Sequence, residues 1–228
     1  MAKQLMQQLN LTRDLFLLDL YHKKLVFYFS PSSTYLNALS TSIVLNLYLN
    51  KKISIDSVTK EIKVIDNTSI CTYNKAMLDY IEDYHITKLN DLADKLFLDT
   101  DFTIDLFEKV VAELEEEKII KVTSEKRLVL FKNTVELVNR EDVKKAYDGL
   151  YQTLYKDEQA TEFVALALLI DSFFNIDNYF SKDNHQQIKE RLDALKGSDL
   201  YDDIKVFRNV IEDFYYLSAT NSTNFFGQ

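Results

Sequence analysis

The sequence predicts a mainly α fold: a single globular domain of amphipathic helices around a buried central helix group, with two small β-hairpins. Three observations predict it. Only three glycines (Gly149, Gly197, Gly227) and one proline (Pro31) interrupt 228 residues, so long runs can stay helical and connections fall to short polar turns. Apolar residues recur at three- and four-residue steps through most of the chain. At two places that period gives way to alternation, as half-buried strands require.

The elements follow in order. Leu11 to Tyr21 and Leu36 to Leu49 are rich in apolar residues and predict two helices. Lys52 to Ile55 and Glu61 to Ile65 alternate and predict the first hairpin. Met77, Tyr80, Ile81 and Tyr84 mark a shorter helix, and Leu89, Leu92 and Leu96 another. A helix over Ile104 to Lys118 is expected to start at Thr103 and Asp105. After it come Ile119 to Val122 and Arg127 to Phe131, with Thr123, Ser124, Glu125 and Lys126 as the expected turn. Val143, Tyr147, Leu150 and Leu154 form a stripe behind an Asn139 cap. Glu162 to Phe174 is apolar on nearly every face, which marks a central helix enclosed by its neighbours. Ile188, Leu192 and Leu195 lie between a cap at Asp183, with Gln186 three residues on, and a stop at Gly197. Leu200, Ile204, Phe207, Ile211 and Phe214 form the last stripe. No Pro- or Gly-rich linker divides the chain. Residues 11–216 therefore read as one domain, with 1–10 as an N-terminal extension and 217–228 as a flexible tail.

Composition removes several function classes. A formal net charge of −9 with only five arginines (Arg13, Arg127, Arg140, Arg191, Arg208) argues against nucleic acid as a partner. The second helix and hairpin could form a winged helix, but Asp105, Glu108, Glu113, Glu115, Glu116 and Glu117 on the helix would be repelled by phosphate. Cys71 is the only cysteine, so neither an intrachain disulfide nor a cysteine-held zinc is possible. Met1 to Asn10 lacks the apolar run of a signal peptide, and Phe163 to Ile170 is too short to cross a bilayer, so a cytoplasmic protein is expected.

The chemistry-bearing motifs fail one by one. Three scattered glycines cannot build a phosphate-cradling loop. Glu82 and His85 have metal-ligand spacing, but a second such pair is missing. Asp99, Asp101, Thr103 and Asp105 imitate a calcium loop, yet Ile104 and Val110 occupy its glycine and glutamate positions. No nucleophile has a histidine and an acid arranged near it. No catalytic residue, metal or cofactor is predicted, and a non-enzymatic binding protein is expected.

One set of motifs points further. Leu45-Asn46-Leu47-Tyr48-Leu49-Asn50-Lys51-Lys52-Ile53-Ser54-Ile55 resembles the E-L-x-L-R-G-R-I-x-L segment of the Golgi phosphoprotein 3 family. Leu78-Asp79 falls where that family has a Leu-Leu-Asp step. Leu114 to Ile120, followed by Leu128-Val129-Leu130-Phe131, resembles its L-V-E-K-G-V-L … L-x-L-F signature. The resemblance spans roughly Leu11 to Phe214. It implies a peripheral membrane protein that binds phosphatidylinositol 4-phosphate and forms homo-oligomers through the second hairpin; Golgi members also retain glycosyltransferases by their cytoplasmic tails.

On this basis Ser40, Thr41 and Ser42 are expected to offer hydroxyls to an anionic lipid headgroup. Lys51, Lys52, Lys126 and Arg127 are expected to offer charge, within a cationic wing that also holds Lys118, Lys121 and Lys132. Val122, Thr123, Ser124, Glu125, Lys126, Arg127 and Leu128 are expected to form the oligomerisation hairpin. The family's headgroup residues are a tryptophan and basic side chains; the matching positions here fall near Pro31 and at Ser40, Ile104 and Phe107, none of them cationic. Two readings stay open: a lipid-headgroup or membrane-surface binding module, and a soluble protein-interaction scaffold that has lost lipid binding. The acidic net charge favours the second.

Overall fold

Thirteen consecutive residues of one helix, Tyr35 to Leu47, are buried, and the other elements pack around them. The computed structural model describes residues 10–22, 25–28, 30–69, 71–127, 130–155, 160–174, 179–180, 184–197 and 202–222. The buried helix is α2 (Ser33–Leu49), which follows α1 (Leu11–His22) and a short strand, β1 (Leu25–Phe27). Ser32 caps α2, its hydroxyl accepting the Tyr35 N–H at 3.3 Å. The first hairpin is β2 (Ile53–Ile55) with β3 (Ile62–Val64), Ile53 opposite Val64 and Ile55 opposite Ile62. Its turn is held by Asp56 Oδ1, which accepts the N–H groups of Val58 and Thr59 at 2.9 and 2.6 Å. Those bonds favour the ionised form and lower the Asp56 pKa.

Then come α3 (Thr72–Asp83), α4 (Leu89–Leu98), α5 (Thr100–Glu116), β4 (Ile120–Arg127), β5 (Leu130–Leu137), α6 (Glu141–Tyr155), α7 (Thr161–Phe173), α8 (His185–Lys196) and α9 (Asp202–Ser222). The mainly α class holds. One hydrophobic cluster runs from Leu11 to Phe214. α7 is central as expected, with Val164 to Ile170 buried on every face, but it shares the centre with α2, which packs against α1, α3, α5, α7 and α9. Gly149 of α6 lies against Phe163 of α7; a Cβ there would sit 2.1 Å from the ring. Asn139 opens α6, accepting the Glu141 N–H at 3.0 Å.

Several boundaries differ from the expectation. α5 begins a turn earlier than Thr103, because Asp99 accepts the Phe102 N–H at 3.1 Å and supplies the cap. Thr103 is instead buried, its hydroxyl donating to the Thr100 carbonyl at 2.9 Å. The expected cap Asp183 lies outside the described residues, and Gly197 ends α8 at φ −80°, which any residue can adopt. The second hairpin is longer than expected. Thr123 to Lys126 are paired strand, opposite Thr134 to Phe131, and the ladder continues to Arg127 opposite Leu130; Leu128 and Val129 lie outside the described residues. Thr123, Ser124, Glu125 and Lys126 include none of the strong turn formers Gly, Pro, Asn and Asp, so only the weaker preference of Ser124 and Thr123 opposes continued strand. β1 was not anticipated. It pairs with β5, giving a three-stranded sheet of order β1-β5-β4, with Phe27 opposite Asn133. α9 continues to Ser222; residues 1–9 and 223–228 lie outside the described residues.

Three helices end alike. Lys51, His85 and Lys118 follow α2, α3 and α5 in the left-handed region, at φ 57°, 51° and 60°. In each, the next residue's N–H bonds the carbonyl five residues back: Lys52 to Leu47, Ile86 to Ile81 and Ile119 to Leu114, at 2.9, 2.9 and 3.0 Å. This is the Schellman arrangement, whose left-handed residue is usually glycine. In the two motifs that carry the family resemblance, the glycine positions are Lys51 and Lys118.

Candidate functional site

α5 runs beside the three-stranded sheet, and Ile104, Glu108, Val111 and Glu115 follow one another at steps of four, three and four along its sheet-facing side. With Phe27 of β1, Ser30, Pro31, and Val122 and Asn133 of the hairpin, they line a cleft of about 260 Å³. Phe107 is its deepest residue, 3% exposed and packed on Phe16 and Tyr35. Its ring stands nearly perpendicular to Phe27, with centroids 5.4 Å apart at 85°. Glu115 Oε1 accepts the Val122 N–H at 3.2 Å, which ties the outer edge of β4 to α5 and holds that carboxylate beside the cleft. Among the described residues no lysine or arginine lines it.

Across the Phe27–Pro31 segment lies a second cleft, of about 580 Å³, lined by β1, by Ser32, Thr34 and Tyr35 at the start of α2, and by Phe173 and Phe174. Among the described residues it too has no charged side chain in its wall. Burial and the neighbouring Asp19 raise the Tyr35 pKa well above the usual phenol value.

The residues expected to bind a headgroup are not gathered into one site. Ser40, Thr41 and Ser42 are 1%, 0% and 0% exposed, inside the α2 contacts. Thr41 donates to the Asn37 carbonyl at 2.6 Å; Ser42 donates to the Leu39 carbonyl at 2.6 Å, and its Oγ lies 3.2 Å from Thr12 Oγ1. Ser40 Oγ has no partner among the described residues, yet it is just as enclosed. Their hydroxyls cannot reach a surface ligand, because α2 is apolar or small on every face and is covered all round. Lys52 is also committed: its Nζ lies 2.5 Å from Asp66 Oδ2 and 3.0 Å from Thr68 Oγ1, and the pair draws the Asp66 pKa down to about 2. Lys51 is exposed and borders a small cleft with Tyr48, Ile65 and Asp203, where the Tyr48 hydroxyl donates to Asp203 Oδ1 at 2.6 Å. These lysines follow the C-terminus of the 17-residue α2, about 25 Å from its N-terminal end, which adjoins β1 and the sheet.

The wing is less cationic than its composition suggests. In the ladder Lys121 stands opposite Glu136, and Lys132 opposite Glu125. Lys126 instead faces Phe131, which is 54% exposed, and Arg127 pairs with Leu130 at the end of the described ladder. Val122 turns toward the cleft, while Thr123, Ser124, Glu125 and Lys126 are exposed along β4; Leu128 lies outside the described residues.

Three of the four positions where the resemblance places headgroup residues, Pro31, Ile104 and Phe107, do meet in the 260 Å³ cleft; the fourth, Ser40, does not. The two glutamates were legible as α5 surface charges, but their place in a cleft depends on β1 returning beside α5. Among the described residues no three His, Cys, Asp or Glu gather to hold a metal, and no helix is long and apolar enough to cross a membrane. No individual curated protein matches the chain. The family model described as Golgi phosphoprotein 3 (GPP34) matches residues 11–206, and the chain belongs to that family.

Proposed function

We propose that this protein is a non-enzymatic peripheral module that rests on anionic membrane surfaces through the end of its β4–β5 hairpin, without selecting one headgroup. The observation that carries this reading is the hairpin end. Lys126 stands opposite the exposed Phe131, not opposite an acidic residue, and Arg127 follows it in sequence. Cations beside an exposed aromatic make an interfacial anchor: the ring enters the headgroup region while the charges attract anionic lipid. Each cation near such a surface is worth about 1 kcal/mol, so two give weak docking. The lack of selectivity is supported by Pro31, Ile104 and Phe107, which supply none of the charge-assisted hydrogen bonds that seat a phosphomonoester.

The test is vesicle flotation across salt concentration. Binding to phosphatidylserine-rich vesicles is expected at low salt and is lost near 0.15 M, where charges are screened over about 8 Å. It does not distinguish phosphatidylinositol 4-phosphate from its 3- or 5-phosphate isomers. Lys126→Glu with Arg127→Glu removes it. Tight, isomer-selective binding at physiological salt overturns this reading. Absence of binding to every vesicle supports the second one, a soluble protein-interaction scaffold, which the net charge of −9 and the cation-free cleft favour.

A further inference from the structure

We propose that the larger cleft, bounded by β1, the start of α2 and the end of α7, is the docking site of this chain's own residues 223–228, with Phe225 and Phe226 seated in it. Its walls suit an apolar occupant. Leu25, Phe27, Tyr28, Phe173 and Phe174 line it, and among the described residues no charged side chain does. Val26 and Tyr28 in the same wall are 46% and 47% exposed. β1 is the edge of its sheet, with no further strand beyond it among the described residues. A volume of about 580 Å³ holds more than one aromatic ring, since a cavity of about 150 Å³ already admits benzene. α9 delivers the following residues to this place. Its Tyr215 packs edge-on against Phe173, with centroids 5.6 Å apart at 82°. From Tyr215 the helix continues to Ser222, about 10 Å further along its axis. Phe226 follows four residues later, and four extended residues span about 13 Å. Both phenylalanines can therefore turn back to the level of Phe173. Composition matches as well. Leu217 to Gln228 contain no Asp, Glu, Lys or Arg in a chain that is 28% charged, so docking desolvates no side-chain charge. The residues before Asn10 fit less well. They leave from the other end of α2, where the Leu11 N–H bonds Asn46 Oδ1, about 20 Å of helix from Ser33. Their Leu5 and Met6 reach at most about 18 Å from Asn10.

The docking does not rest on the membrane reading and is tested without vesicles. A nitroxide is attached at position 227 of the full chain carrying Cys71→Ser and Gly227→Cys, and its broadening of amide signals is measured by nuclear magnetic resonance. Val26, Tyr28 and Thr34, which line the cleft, are expected to lose most of their intensity. Lys51 and Asp66, beyond the far end of α2, are expected to keep theirs. Adding Phe225→Ser and Phe226→Ser to the labelled chain is expected to restore the lost intensities. In the unlabelled chain the same pair is expected to speed amide exchange in β1 by at least about tenfold, with helicity unchanged. Labelled chain mixed with isotope-enriched, unlabelled chain shows whose residues occupy the cleft, and no broadening is expected there. Broadening of Val26 and Tyr28 in that mixture assigns the cleft to a second copy and overturns docking within one chain. A label that leaves Val26, Tyr28 and Thr34 as intense as Lys51, or a serine pair that leaves β1 exchange unchanged, overturns the proposal and gives the cleft to a different partner.

Discussion

Replacing Lys118 by glycine should stabilise this protein, although it deletes a side chain and a charge. Lys118 sits at φ 60°, one residue beyond the C-cap of α5, with its N–H bonded to the Glu115 carbonyl at 2.9 Å. For a residue with a Cβ the left-handed region costs about 1–2 kcal/mol. Glycine removes that cost but brings back about 0.5–1 kcal/mol of unfolded-chain entropy. The side chain is exposed, so little contact is lost. The net gain is about 0.5–1 kcal/mol. A chain of 228 residues has an unfolding entropy of about 0.5 kcal/mol per degree, so Tm should rise by roughly 1–2 °C. Lys51→Gly should do the same, and two changes at different helix ends should add. Calorimetry and urea melts measure this, with the midpoint moving and the slope unchanged. Lys118→Ala separates geometry from charge, since it deletes the charge but keeps the Cβ, and it should give no gain. Equal stabilisation by alanine and glycine, or a loss with glycine, would refute the reasoning.

Leu168 is 2% exposed at the centre of α7, so Leu168→Ala should cost on the order of 2–5 kcal/mol in denaturant melts; a loss below about 1 kcal/mol would contradict its burial. Burial raises the Asp14 pKa to about 6 against the opposing pull of Lys145 and Arg13. A carboxyl protonated more readily when folded loses stability as pH rises from about 4 to 6, so Asp14→Asn should stabilise by about 1–3 kcal/mol at pH 7 and by much less at pH 4. If self-association uses the β4–β5 hairpin, replacing Ser124 to Asn133 by an Asn-Gly turn between Thr123 and Thr134 should lower the mass seen in light scattering and leave helicity intact. A wild type that is monomeric at high concentration, or an unchanged mass, removes the hairpin from that role.

Local spacing by itself determined most of the helical fold. α6 and α9 were legible because one apolar stripe must face the core, and α7 because a helix apolar on every side must be enclosed. The first hairpin was legible from alternation, and the family from motifs that mark the ends of α2 and α5. β1 was not, because three residues carry no reliable period and a strand exists only through its partner, here β5. The length of the second hairpin was likewise decided by pairing with Thr134 and its neighbours. The site diverged most. Ser40, Thr41 and Ser42 look like surface donors in sequence, but small hydroxyls also suit close helix packing, where they bond the preceding turn. Whether a residue of α2 meets solvent depends on α1, α7 and α9 closing around it. Glu108 and Glu115 read as solvated charges until β1 and β4 bring hydrocarbon beside them. Helix period is a short-range property of the chain, whereas a cleft is set by which distant segments share its walls, and only the tertiary structure decided that.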